Sequence, residues 1–288
     1  MSSSIVIRAC DGLEELGACV RLQSEIWGLA DSEVVPRRSF VVASRIGGQV
    51  IGAFETGRGA ATAGNPPSEA GRQEDRERLI GFAMALPGFA PPAATERARG
   101  EPPAPNPYLH SHMLAVEAAY RNRGIGRRLK LFQREEALGR GIRRMEWTFD
   151  PLEIKNAYLN IHRLGVIVRR YSSNMYGVSS SRLQATLPTD RLYAEWWMES
   201  RRVSRAMEDR PAAPAQAEMN IVVPAEIGAW KADAEKRERA LEVQRENRML
   251  FEQAFDRGLA VCGFRVDDAG NGIFQLGRMA ALEEELLP

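Results

Sequence analysis

One stretch limits what this chain can fold into more than any other: Leu109 to Gly141, LHSHMLAVEAAYRNRGIGRRLKLFQREEALGRG. Leu109 to Val116 is a short β-prone run, and Arg121-Asn122-Arg123-Gly124-Ile125-Gly126 then opens a segment with Ile125, Leu129 and Phe132 at helical spacing. The reading is strand, glycine-bearing turn, helix. Two glycines let the backbone pass close to a ligand, and a helix N-terminus offers unpaired N–H groups and a partial positive charge of about half an electron. Four arginines, Arg121, Arg123, Arg127 and Arg128, surround the turn. Backbone donors and guanidinium forks together suit a pyrophosphate, although a glycine turn also starts or ends ordinary surface helices. No Gly-Lys-Ser/Thr follows, which excludes a Walker loop; two glycines without a βαβ repeat weaken a dinucleotide fingerprint.

Around this stretch the periodicities alternate. Ser4 to Ala9 reads as a strand, and Asp11-Gly-Leu-Glu14 as a capping box opening a helix with Leu16, Cys19, Val20 and Ile26 on one face. Pro36 starts a second helix to Ile46, Gly47-Gly48 turns the chain, and strands follow at Gln49 to Phe54 and Leu79 to Leu86. Residues 56–77 and 91–107, rich in Gly, Ala, Pro and charge, read as flexible insertions. After the organising helix come a strand at Arg144 to Phe149, a helix with Ile154, Ala157, Tyr158 and Ile161 facing the core and Asn156 and Asn160 on another face, and a strand at Val166 to Arg170. The order is β-α-α-β-β-β-α-β-α-β. Residues 190–200 suggest a further strand, 201–218 a linker, and 219–288 an extension: a strand at Met219 to Val223, one long helix from Pro224 to Arg257 with a solvated charged middle, and a hairpin around Asp267 to Gly272.

The chain of 288 residues is 44% hydrophobic, enough for a sizeable core, and its formal charge of +1 creates no global field for nucleic acid or membrane. Of the 39 basic residues four are lysine, with arginines spread throughout. Cys10, Cys19 and Cys262 show no metal-ligand spacing and no disulfide framework, so no metal is expected and a reducing cytoplasm is. The first residues lack a secretory pattern, and no apolar run approaches the ~20 residues of a membrane span.

The pattern Arg-x-x-Gly-x-Gly after a Leu-x-Val strand end resembles the acyl-CoA-binding motif of the GNAT superfamily of N-acyltransferases. More specific are His110-Ser-His-Met-Leu-Ala-Val, Gln133-Arg-Glu-Glu-Ala-Leu, Trp147-Thr-Phe-Asp-Pro-Leu, Asn156-Ala, Val168-Arg-Arg-Tyr and Leu187-Pro-Thr-Asp-Arg. Together they are similar to a branch of predicted bacterial and archaeal GNAT acyltransferases with a C-terminal extension. The resemblance implies an α/β (α+β) GNAT fold: a mixed, mostly antiparallel central sheet flanked by helices, in a catalytic domain at 1–200, with a helix-plus-hairpin extension beyond the linker. It implies transfer of an acetyl group from acetyl-CoA, or a succinyl group from succinyl-CoA, to a primary amine of a small molecule such as an amino acid, by direct attack in a ternary complex. A homodimer is compatible with it. The rival class is a non-catalytic acyl-CoA sensor or scaffold.

An amine attacks a thioester only when unprotonated, so a base within hydrogen-bond reach is expected. His110 and His112 alternate onto one face of the strand expected to line the thioester and are the leading candidates; Glu117 at the strand end is another. Asp150, at a later strand end, is placed to hold the acceptor ammonium or relay its proton. The resemblance assigns the backbone of Leu114, Ala115 and Val116 to the pantetheine amides and that of Arg123, Gly124, Ile125, Gly126, Arg127 and Arg128 to the pyrophosphate, with Asn156 and Asn160 near CoA. Many GNAT enzymes place a tyrosine four residues before the Leu-Gly glycine as general acid; Ile161 stands there, and no acid is assigned. Arg191 is a bidentate partner for an acceptor or succinyl carboxylate.

Overall fold

A computed structural model describes residues 4–56, 77–90, 106–177, 179–182, 184–210 and 217–288. The two expected insertions fall mostly outside the described residues, as does part of the expected linker. The chain divides into two compact units, Met1–Gly88 with Ser111–Arg140, and Phe89–His110 with Gly141–Pro288.

In the first unit β1 (Ser4–Ala9), β2 (Gln49–Thr56) and β3 (Arg78–Phe89) pair antiparallel, and β4 (Pro107–Val116) follows β3 in the strand order. Helices α1 (Gly12–Trp27) and α2 (Arg37–Arg45) bury Leu16, Cys19, Leu22, Phe40 and Ala43 against Phe82, Met84, Met113 and Ala115. Phe82 meets Phe40 edge-on at 5.7 Å and Trp27 at 6.5 Å, and such pairs add ~0.5–1.5 kcal/mol each beyond burial. Alternate residues of the same strands, Ile51, Ala53, Ile80 and Ala83, pack with Ile125 and Leu129 of α3 (Ile125–Gly139). One detail differs from the expected capping box: the Asp11 N–H is accepted at 2.7 Å by Glu15, which also pairs with Arg8, and the Asp11 side chain makes no cap bond. The cysteines are closer than their spacing suggested, since Cys10 Sγ lies 3.9 Å from Cys19 Sγ with both thiols free.

The second unit carries β5 (Arg144–Phe149), β6 (Ile167–Ser172), β7 (Arg191–Trp197), β8 (Met219–Val223), β9 (Leu259–Val266) and β10 (Gly272–Arg278), ordered β5-β7-β6-β9-β10-β8 and antiparallel throughout. The start of β4 joins β5 in a parallel ladder, Leu109 opposite Met145 and His110 opposite Glu146. Between β5 and β6 runs α4 (Ile154–Ala157), which continues as a π-helical turn, Tyr158–Arg163. The later helices are α5 (Arg201–Met207), α6 (Ile227–Ala232), α7 (Arg237–Asp256) and α8 (Met279–Leu282). The order β-α-α-β-β-β-α-β-α-β read from the sequence is the order observed up to β6.

Three expectations are corrected. Residues 201–207 are not linker: Ser200 Oγ accepts the Val203 N–H and caps α5, whose Arg202, Val203 and Ala206 are buried. The single helix from Pro224 is two, because Asp233 adopts an extended conformation and its carboxylate accepts the Glu235 N–H at 3.0 Å, a local bond that competes with helical pairing. The middle of α7 is not solvated either. Ala240, Gln244, Asn247, Phe251 and Ala254 form one buried stripe, in which Gln244 donates to the Pro188 carbonyl at 2.8 Å and Asn247 to that of Val222 at 3.1 Å. Polar residues occupy core positions there because they satisfy loop and edge carbonyls.

Candidate functional site

The first unit holds the glycine turn. Asn122 and Gly124 both adopt the left-handed region, with φ of 61° and 76°, and a Cβ built on Gly124 would meet nothing within 4 Å. Gly124 is the N-cap of α3 and supplies no side chain to its first N–H groups. A fifteen-residue helix thus begins with no side-chain cap on its backbone donors, flanked by exposed Arg121, Arg123 and Arg128 and half-buried Arg127. The arginines are partly committed: Arg121 Nε donates to the Val116 carbonyl at 3.2 Å, Arg128 to that of Ile5 at 2.7 Å, and the Arg123 guanidinium lies 5.1 Å from the Tyr120 ring centre. Gly126 lies in the first turn of α3, half-buried.

Strict alternation fails along β4. Ser111 is buried against α3, accepting from Lys130 Nζ at 2.7 Å and donating to Gln133 Oε1 at 3.1 Å, whereas Met113, two residues on, packs with α1 and α2. The inversion has the character of a β-bulge and falls around His112, so the expectation that His110 and His112 share a face does not follow from spacing alone. His112 is exposed, and partial desolvation holds its imidazole below the ordinary histidine range. Glu117 is half-buried and accepts from Arg78 at 2.7 Å. Leu114, Ala115 and Val116 follow in the strand, Leu114 and Val116 against the α3 cluster and Ala115 buried on the other side. Burial pushes the Lys130 ammonium well below its ordinary value.

The second unit holds the rest. His110 is half-buried beside Glu146 in the β4–β5 ladder. Asp150 is buried and engaged twice, accepting the Leu152 N–H at 2.8 Å and pairing with Lys231 of α6 at 3.0 Å; Lys231 also reaches Glu153 at 2.8 Å. Burial pulls the Lys231 ammonium down, and the two carboxylates more than offset it, so it stays protonated above its ordinary range. Asn156 is exposed, but Asn160 is 2% exposed, donating to Asn156 Oδ1 at 3.2 Å: the π-helical turn rotates it inward from the outer face that α-helical spacing predicts. Ile161 is core, and Tyr158 is half-buried, stacked on His162 at 4.5 Å. Arg191 makes no ion pair among those of the described residues; its guanidinium lies 5.4 Å from the Tyr176 ring centre, while its neighbour Asp190, fully buried, binds Arg248 and accepts from Tyr171.

Residues 61–158 match the model of the acetyltransferase (GNAT) family. That third of the chain is similar to the family's domain. It spans the glycine turn, β4 and β5, and the helical order around it with the mostly antiparallel sheet is the GNAT fold. Solved structures similar to the chain include an N-acetyltransferase from Staphylococcus aureus (14% identity, TM-score 0.45, covering 68% of this chain and 100% of that one). Others are yncA of Salmonella typhimurium with its cofactor acetyl-CoA (16%, 0.43, 68% and 95%) and FeeM, an N-acyl amino acid synthase from uncultured soil microbes (12%, 0.44, 68% and 92%). No curated protein matches the chain. Among the described residues no group of three or more His, Cys, Asp or Glu is placed to hold a metal ion, and no helix is long and apolar enough to cross a membrane.

Sequence reasoning missed the polar partners. Nothing in the spacing links Asp150 to Lys231, 81 residues away. Glu146 and Glu195 carried a signal, since each is the lone acid of its strand and has to be paired when buried.

Proposed function

We propose that the chain is an acyl-CoA-dependent N-acyltransferase that moves an acetyl or succinyl group to a primary amine of a small molecule by direct attack. One observation carries the reading: the GNAT match includes a helix whose N-terminal donors, uncapped by any side chain, open at the left-handed Gly124. In this reading the N–H groups from Arg123 to Arg128 hold the donor's pyrophosphate, with guanidiniums adding charge-assisted bonds. The backbone of Leu114 to Val116 pairs with the pantetheine amides. His112, its imidazole held below the ordinary histidine range by desolvation, takes the proton of the attacking ammonium, with His110 or Glu117 as the alternative acceptor. Asp150 takes one bond on each carboxylate oxygen, from the Leu152 N–H and from Lys231, and fixes the loop after β5. Arg191 remains a partner for a carboxylate.

The test is stoichiometric release of free CoA from acetyl-CoA and from succinyl-CoA against a panel of amino acids, polyamines and aminoglycosides, with the acylated amine identified by mass spectrometry. CoA binding without transfer to any amine replaces this reading with that of an acyl-CoA sensor.

A further inference from the structure

Across β5 and β7 the second unit's sheet buries apolar side chains on one face and carries charged ones on the other, where Trp197 also packs beside the buried cluster of Ile167, Ala260, Cys262 and Leu282. Met145, Trp147, Phe149, Leu192, Ala194 and Trp196 are buried on the first. On the second, ladder partners line up across three strands: His110 of β4 opposite Glu146 of β5, and Glu146 opposite Glu195 of β7. Two carboxylates directly opposite each other repel. Glu146 and Glu195 are nevertheless 5% and 1% exposed, held by arginines. The β6–β7 register shifts between Val168 and Tyr171, so Arg169 and Arg170 both oppose Tyr193. Both therefore reach the same cluster. Arg169 clamps Glu195 with Nε and Nη2, Arg170 bridges to Glu146 at 2.9 Å and Glu195 at 3.5 Å, and Arg144 takes the other Glu146 oxygen.

Three guanidiniums meet two carboxylates, which leaves the face net cationic. The same face also carries donors with no acceptor. Arg144 Nε, Trp197 Nε1 and Arg191 Nε are all buried and unpaired, and Arg144 and Trp197 are ladder partners with the guanidinium 5.1 Å from the indole ring. Each such orphan costs ~1–3 kcal/mol, a cost that an acceptor-rich ligand removes. We propose that this face, centred on Arg144, Arg170 and Trp197, is a subsite for the carboxylate of a small molecule. Resting on the acyl-transfer reading, the inference makes the acceptor an amino acid or a related carboxylate-bearing amine, its acid on the guanidiniums.

The experiment uses the full chain, acetyl-CoA, and the L-α-amino acids each beside its carboxamide, which keeps the amine and side chain but lacks the acid. For the best acceptor kcat/KM favours the acid at least ~10-fold, the scale of one charge-assisted hydrogen bond. Trp197→Phe deletes the indole N–H while keeping a smaller aromatic ring, and Arg170→Gln deletes one charge; each raises KM for the acid more than for the amide. Equal use of acid and amide, or variants that affect both alike, overturns the subsite and leaves acyl transfer standing. Titration of the CoA-bound chain with the same acids, followed by tryptophan fluorescence, needs no turnover. Saturable binding of an acid that is never acylated keeps the subsite and refutes acyl transfer, whereas no binding tighter than about 10 mM refutes the subsite.

Discussion

Replacing Lys231 with Met tests whether Asp150 is a structural anchor. In the wild type the Lys231 and Asp150 side chains are 5% and 6% exposed, 3.0 Å apart, and Asp150 also accepts the Leu152 N–H. Met fills the volume but leaves a buried carboxylate without its countercharge. Breaking a buried pair on one side costs ~3–5 kcal/mol. The contact with Glu153, whose side chain is 41% exposed, adds little because water screens it. At about 2–4 °C per kcal/mol for a chain of this order of size, the melting temperature of Lys231→Met falls roughly 6–20 °C. The loss is read in urea titrations followed by tryptophan fluorescence. Removing both charges in Asp150→Leu/Lys231→Met recovers most of it, since the cost is an unpaired charge rather than a missing attraction. The sign of the pH dependence follows from the raised Lys231 value. A cation favoured by the folded state contributes fully below its unfolded pKa, near 10.5, and loses that contribution as pH rises through the higher folded value. The gap between wild type and Lys231→Met therefore holds at neutral pH and closes in strong alkali. A single variant within about 1 kcal/mol of wild type, or a double variant no better than the single, refutes the reasoning.

Gly124→Asp places a negative side chain at a position with φ of 76° on the proposed phosphate path, and calorimetry should show CoA affinity reduced ~10-fold or more in folded protein. His112→Ala should lower turnover by roughly 10²-fold and remove the acid limb of the pH–rate profile, while CoA affinity stays within a few-fold. Because desolvation lowers the His112 value, that limb lies below pH 6.5, and folding stability contributed by the neutral imidazole is lost as pH falls through the same window. Arg248→Ala unpairs the fully buried Asp190, whose remaining side-chain partner Tyr171 is a neutral donor, and should cost ~3–5 kcal/mol in chemical denaturation.

The order of elements up to β6 was legible because they carry strong periodic signals: Ile125 and Leu129 repeat at helical spacing, and the strand at Arg144 to Phe149 has the bounds read from sequence. The failures share a physical cause. Gln244 and Asn247 look solvated but are core residues paired to carbonyls of distant segments, so the stripe of α7 could not be seen as apolar periodicity. Asn160 turned inward because the chain adds a residue to the turn there, which shifts every later position around the axis. Of the four lysines, Lys130 and Lys231 are buried, one beside Ser111 and one beside Asp150, and long-range pairing leaves no trace in local spacing. Part of the candidate site was legible for the opposite reason: backbone donors at a glycine-opened helix start are a local feature, written in consecutive residues from Arg121 to Arg128.

The central claim is that this chain transfers an acyl group from CoA to an amine. Its most direct measurement follows free CoA and acylated product in one reaction with acetyl-CoA and the amine panel, for the wild type and for Gly124→Asp. The account predicts one acylated amine per CoA released by the wild type, and a release rate at limiting acetyl-CoA lower by ~10-fold or more in the variant. Acetyl-CoA that binds the wild type with no acylated amine formed, or a variant that transfers as fast as the wild type at limiting acetyl-CoA, would contradict it.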